Sequence, residues 1–206
     1  KPNVSEKNQQ ELFKSIENSN AFPLKDYFNF EFAKKLFPFD ILSATTVTFA
    51  FQSYGQNERS LFSFLESNDY LGLNDFTSGD EFYNLSHVFD YLIYNFHSLL
   101  NSKFNPHAVQ WRAIDESLER VDGAFDKSVN DAKKIIKTIG LLSIFGRKGQ
   151  QIDLDFLTVY AKHALRVNKA YEIIKRLTDK QIIRYREYSS RYVLFKGTDF
   201  DINSEL

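Results

Sequence analysis

Apolar residues at 132, 135, 136, 139, 142 and 145 recur at the three- and four-residue spacing of one helical face, and Gly146 follows as a stop, so residues 131–145 predict a helix. After the polar loop 147–151, either Asp153 or Asp155 can cap a second helix, on which Phe156, Leu157, Tyr160, Ala161, Ala164 and Leu165 form the apolar stripe. Asn168 can cap a third. There Ala170, Tyr171, Ile174 and Leu177 share one face and leave Lys169, Glu172, Lys175, Arg176 and Asp179 for the other. The period then drops to two. Residues 182–186 and 191–195 are β-branched and aromatic runs joined by Glu187-Tyr-Ser-Ser, which predicts a hairpin. Three helices followed by a hairpin predict a winged helix, a helix-turn-helix variant, over residues 126–206, with the hairpin as its wing.

Helical spacing also dominates residues 1–125, so the expected class is mainly α, a helical body followed by the winged-helix module. Ser5 opens a short helix with few apolar positions, ending near Asn18 and reading as a connector. A second short helix runs through Phe30, Phe32, Ala33 and Leu36. From Asp40, Ile41, Ala44, Val47, Thr48 and Phe51 predict a helix suited to burial on several sides and stopping at Gly55, with the β-branched run Thr45-Thr-Val-Thr keeping a strand open as the alternative. Asn57 can cap a fourth helix with Leu61, Phe62 and Leu65 as its stripe, and residues 66–80 are rich in turn formers. Ser86 opens a long helix with Val88, Leu92, Ile93, Phe96 and Leu99 inward. Asn105-Pro106 marks another start, for a helix carrying Val109, Trp111, Ile114 and Leu118 and ending by Gly123.

The chain has 206 residues, 43 % of them apolar and 26 % charged, a composition suited to a globular fold with a core, and it is unusually aromatic, with 21 Phe and 11 Tyr. No apolar run reaches membrane-spanning length and residues 1–7 lack a signal-peptide core, which makes a cytoplasmic setting the simplest expectation. Zero cysteines exclude disulfides and cysteine-ligated zinc, and the lack of any methionine predicts an excised fragment of a longer protein. The net charge of -1 conceals an asymmetry. Residues 147–196 carry 12 Lys and Arg against 5 Asp and Glu, residues 197–206 carry three acids, and residues 1–146 carry 14 bases against 19 acids. The predicted module is thus basic on an acidic body, which suits either polyanion binding or pairing with the body. Candidate polyanion contacts are Lys169, Lys175 and Arg176 on the third helix and Arg184, Arg186 and Arg191 on the hairpin. Gln56, Asn57, Glu58 and Arg59, just after a glycine turn, are candidate interdomain contacts, although capping and a local ion pair explain them equally simply.

Catalytic patterns are not evident. No Gly-x-x-x-x-Gly-Lys-Ser/Thr occurs, so no nucleotide or other cofactor is expected on this chain. His87, His97, His107 and His163 include no pair four apart, and no Gly-x-Ser-x-Gly elbow is present. Asp115 and Glu119 could align two carboxylates on a helix, but Arg112 and Arg120 beside them suggest surface pairing.

Two segments carry a resemblance. Gly55-Gln-Asn-Glu-Arg-Ser-Leu-Phe-Ser-Phe-Leu, then a helical body ending in Ile183-Arg-Tyr-Arg and Tyr192-Val-Leu-Phe-Lys-Gly-Thr-Asp, resembles the region beyond the ATPase core of large bacterial AAA+ and STAND-type ATPases, many of them linked to phage defence. The resemblance spans most of the chain. It implies a P-loop core upstream that binds ATP, a lid-like helical region, and a winged helix that relays or regulates the nucleotide state by protein contact. No residue role comes with it. The expected function is therefore a non-catalytic regulatory or interaction fragment of a cytoplasmic P-loop NTPase, partnered by the upstream ATPase domain or another protein. The alternative is a winged-helix nucleic-acid-binding module, and the mixed charge of the third helix makes such binding weak.

Overall fold

A computed structural model describes residues 5–24, 28–55, 58–66, 70–77, 79 and 81–195. Those residues are mainly helical and end in a two-stranded antiparallel hairpin. In order they are α1 Glu6–Ser19, α2 Phe30–Lys35, α3 Ile41–Tyr54, α4 Glu58–Glu66, α5 Leu85–Leu100, α6 Ala108–Ala124, α7 Val129–Phe145, α8 Leu154–His163, α9 Ala170–Asp179, β1 Ile183–Arg186 and β2 Arg191–Leu194, with a 3₁₀ turn at Glu187–Ser189 between the strands.

Most helices start where a short polar side chain can take an orphan amide. Ser5 accepts from Asn8 N, Asn29 from Phe32 N, Asp40 from Ser43 N and Asp153 from Phe156 N. Three expected starts differ. Asn84, not Ser86, caps α5, with the His87 ring accepting the Asn84 N–H in return. Asn105 Oδ1 takes the His107 N–H, so Asn105-Pro106 forms a turn ahead of α6 rather than its first residues. Asn168 does not cap α9, where Lys169 holds the cap position without a side-chain bond. The strand alternative for residues 45–48 fails because Thr45 and Thr48 return their hydroxyls to the carbonyls of Ile41 and Ala44, which suits β-branched residues to a helix.

The spine is α7. Its expected single apolar stripe widens to nearly all sides, with Ala132, Ile135, Ile136, Thr138, Ile139, Gly140, Leu141, Leu142 and Ile144 buried, because α3, α5, α6, α8, α9 and β2 all pack on it. Gly140 lets α6 approach closely: a Cβ there would lie 2.5 Å from Ile114 Cγ1. Much of the phenylalanine sits in the body, where Phe64 and Tyr83 lie with ring centroids 5.5 Å apart and Phe51 and Tyr91 flank Phe64 at 5.6 and 4.8 Å. That cluster corrects the expected stripe of α4. Phe64 is fully buried whereas Leu61 and Phe62 are exposed. On α5 the same geometry buries Phe89, Tyr91 and Leu100 and leaves Leu99 exposed.

The first helix is not a connector. Leu12, Phe13 and Ile16 are buried and α1 packs along α8. The α7–α8 loop is fastened beside it, Arg147 N donating to Ala21 O at 2.9 Å and Gln151 N to Ser19 O at 2.7 Å. One contiguous core therefore runs from Leu12 to Leu194.

Candidate functional site

The hairpin register pairs Ile183 with Leu194, Arg184 with Val193, Tyr185 with Tyr192 and Arg186 with Arg191. Because side chains alternate across a strand, Ile183, Tyr185, Tyr192 and Leu194 share one face and Arg184, Arg186, Arg191 and Val193 the other. The first face is the anchor: Ile183 and Leu194 are buried, and the Tyr185 and Tyr192 rings lie 5.1 Å apart. Burial also pushes the Tyr192 phenol above its ordinary pKa. A backbone bond from Tyr192 N to Ile152 O, 2.8 Å, ties the outer strand to the segment between α7 and α8.

On the second face two arginines stand directly opposite each other, an arrangement that by itself destabilises a sheet. All three are half-buried, and the Nε atoms of Arg184 and Arg191 are buried without a hydrogen-bond partner. Arg186 Nη1 donates to the Tyr188 hydroxyl at the turn, and the Arg184 guanidinium lies over the Phe195 ring, 5.5 Å from its centroid. Among the described residues neither Arg184 nor Arg191 forms an ion pair, whereas Lys34, Lys133, Lys134 and Lys137 each reach a carboxylate.

The α9 candidates are placed differently. Arg176 is engaged within the molecule, Nη2 donating to Ala124 O at 2.8 Å with its guanidinium 4.5 Å from the Phe125 centroid. Lys169 and Lys175 are exposed, but so are Glu172 and Asp179 on the same helix. The α9 lysines are thus interleaved with acids of the same helix, unlike the arginines of the hairpin face. Of the interdomain candidates, Gln56 and Asn57 and the Glu58 side chain lie outside the described residues, and Arg59 is exposed on α4.

A buried ionisable group that the sequence marks only as a cap is Asp40. Its Oδ2 accepts from Ser43 Oγ at 2.7 Å and Tyr160 Oη at 2.9 Å. The same Tyr160 oxygen accepts the Leu85 N–H at 3.2 Å, so α8 plugs into the starts of α3 and α5. Burial pushes the Asp40 carboxyl upward despite these bonds, and burial followed by the Asp40 charge pushes the Tyr160 phenol well upward. Lys34 lines the same pocket, but its amine is paired with Glu6 and Glu31, and Leu12, Phe13 and Ile41 from α1 and α3 line the pocket beside the buried carboxyl, which suits a structural lock rather than acid–base chemistry.

Two other groups weighed from sequence separate. Burial and then Glu119 raise the Asp115 carboxyl, yet Arg120 pairs with neither and donates instead to Phe195 O and Gln181 O at 2.9 and 2.6 Å. His163 is nearly buried against α1, with Glu11 Oε2 at 3.2 Å but without hydrogen-bond geometry, and burial lowers its pKa. Among the described residues no three His, Asp or Glu side chains converge as a metal site, and no helix is long and apolar enough to cross a membrane. A cleft of about 370 Å³ between α5 and α7 is lined by Lys133, Lys134, Lys137 and Arg166, together with Glu81 and Asp90. Lys137 bonds Asp90 at 2.6 Å and Arg166 approaches Glu81 at 3.9 Å, so the cations of this cleft largely meet acids of their own. No family model, curated protein or solved structure matches this chain.

Proposed function

We propose that the chain is a non-catalytic regulatory and interaction unit of a larger P-loop NTPase, its residues 126–206 a winged helix mounted on a lid-like helical body. The winged-helix reading is supported by the order α7, α8, α9, hairpin and by the bond from Tyr192 to Ile152, which makes the segment after α7 a partner of the outer strand. The observation that carries the regulatory reading is the joint between the halves. Tyr160 on α8 is bonded to Asp40 and Leu85 of the body, and Arg120 on α6 holds two carbonyls at the base of the hairpin. A unit so fastened transmits a displacement at one end to the other as a body. Exposed apolar side chains on the body, among them Phe62, Tyr70, Tyr94 and Phe104, supply surface for a neighbouring ATPase domain.

Two measurements test this. ATP titrated into the chain by calorimetry is expected to give no binding heat. The ATPase rate of a polypeptide bearing the P-loop core is expected to change several-fold when this chain is joined after it. Micromolar ATP affinity of the chain alone, or an unchanged rate in the joined protein, overturns the proposal.

A further inference from the structure

We infer that the arginine face of the hairpin binds the phosphodiester backbone of duplex nucleic acid, without sequence preference and without α9 entering a groove. The inference stands independently of the NTPase reading. It starts from an anomaly: Arg186 and Arg191 are cross-strand partners, Arg184 lies on their face, and among the described residues no carboxylate pairs with Arg184 or Arg191 as acids do with lysines elsewhere. Like charges opposed across a ladder are unfavourable, and buried donors left without partners call for one. Glu187, the acid nearest in the chain, is exposed in the turn. Arg120 adds a fourth cation at the base of the face, its guanidinium 5.9 Å from the same Phe195 ring that Arg184 covers.

The chemistry of the face selects the occupant. Arg184 and Arg186 are two residues apart on one strand, about 6.7 Å, an interval close to that between successive phosphates of a nucleic-acid strand. Guanidinium forks fit phosphate oxygens, and a phosphodiester chain presents fixed charge at that interval whatever base it carries. A single strand would need aromatic platforms for its bases. Among the described residues the strands offer none on this face: Tyr185 and Tyr192 are on the opposite side, Phe195 lies under two guanidiniums, and the one exposed ring nearby, Tyr188, sits in the turn with its hydroxyl bonded to Arg186. The exposed charges of α9 cancel and Arg176 is tied to Ala124 O, so the helix contributes little to attraction or base reading.

The test is fluorescence anisotropy of the whole chain with two labelled duplexes of unrelated sequence across a salt series. Both should bind alike, with Kd of roughly 10⁻⁴ to 10⁻⁶ M at physiological salt and a log-affinity slope against log salt of about -3 for three phosphate contacts. Arg184→Ala with Arg191→Ala should flatten the slope to about -1. Arg184→Lys with Arg191→Lys keeps the charge and should keep the slope. Lys169→Ala with Lys175→Ala should leave it unchanged. If the double alanine variant does not fold, Arg184→Gln and Arg191→Gln taken singly should each flatten the slope by about 1. Several results would overturn the inference: a slope unmoved by the arginine variants, a loss carried by the α9 lysines, tighter binding of a single strand of equal length, or equal competition by polyglutamate, which would point to an acidic protein surface.

Discussion

The side chain on which the joint between the halves turns is Tyr160, because its hydroxyl serves a buried carboxylate and a helix-start amide at once. Tyr160→Phe would leave the Leu85 N–H without its acceptor and remove one donor from Asp40, and it is expected to cost about 1–3 kcal/mol at neutral pH by urea denaturation. The cost should shrink in acid. Asp40 has its folded pKa raised, chiefly by burial, so its contribution to stability is full below the unfolded carboxyl value and is lost as pH rises through the folded one. A protonated carboxyl needs fewer donors, and the variant should then lie closer to the parent protein. A cost that is flat or larger in acid would contradict this account. Of this lock, the sequence shows only fragments: Asp40 reads as a helix start and Tyr160 as one member of an apolar stripe. Their bond spans 120 positions, and no local pattern encodes a partner at that distance.

Among the elements, those with strong periodicity and good caps were legible, α3 from Asp40 and α8 from Asp153 above all. Where tertiary packing set the face, the pattern misled. In α4, Leu61, Phe62, Phe64 and Leu65 permit more than one stripe, and the aromatic cluster around Phe64 selects a different one from that expected. With only Leu12, Phe13 and Ile16 as its large apolar residues, α1 looked too polar to belong to a core, but three side chains on one face suffice to seat it on α8. The α6–α7 contact gives a prediction at this scale. Gly140 sits mid-helix, where alanine would ordinarily stabilise by about 1 kcal/mol. Its Cβ would fall 2.5 and 2.6 Å from Ile114 Cγ1 and Cδ1, so Gly140→Ala is expected instead to destabilise by about 1–3 kcal/mol. In an Ile114→Ala background the clash is gone and the same substitution should become neutral or stabilising. A double-mutant cycle by chemical denaturation reads the coupling, and additive effects would show that the two helices do not meet as described.

For the whole molecule, the pattern predicts a boundary near residue 125, while the charge turns basic only from residue 147, which suits either polyanion binding or pairing of the module with the acidic body. The contacts across that boundary are of another kind. They are the burial of α7 among body helices, two backbone bonds from the α7–α8 loop to residues 19 and 21, the Tyr160 bonds, and arginines 120 and 176 bonded to carbonyls across the boundary. Among the described residues the lysine and arginine ion pairs between the halves, Lys137 with Asp90, Lys133 with Asp122 and Arg166 with Glu81, are at least partly exposed, and such pairs contribute little. Apolar packing and backbone bonds are screened only slightly by salt, so cohesion of the halves should survive conditions that remove surface electrostatics. Calorimetric melting is accordingly expected to show one transition, with calorimetric and van't Hoff enthalpies that agree, at both 0.05 and 1 M salt. Residues 126–206 expressed alone would lose the packing of α3, α5 and α6 on α7, including the Gly140 side that meets Ile114, and are expected to bind hydrophobic dye and melt without a sharp transition. Two separated transitions in the whole chain, or a cooperative melt of the isolated C-terminal part, would show instead that the two parts fold as independent domains.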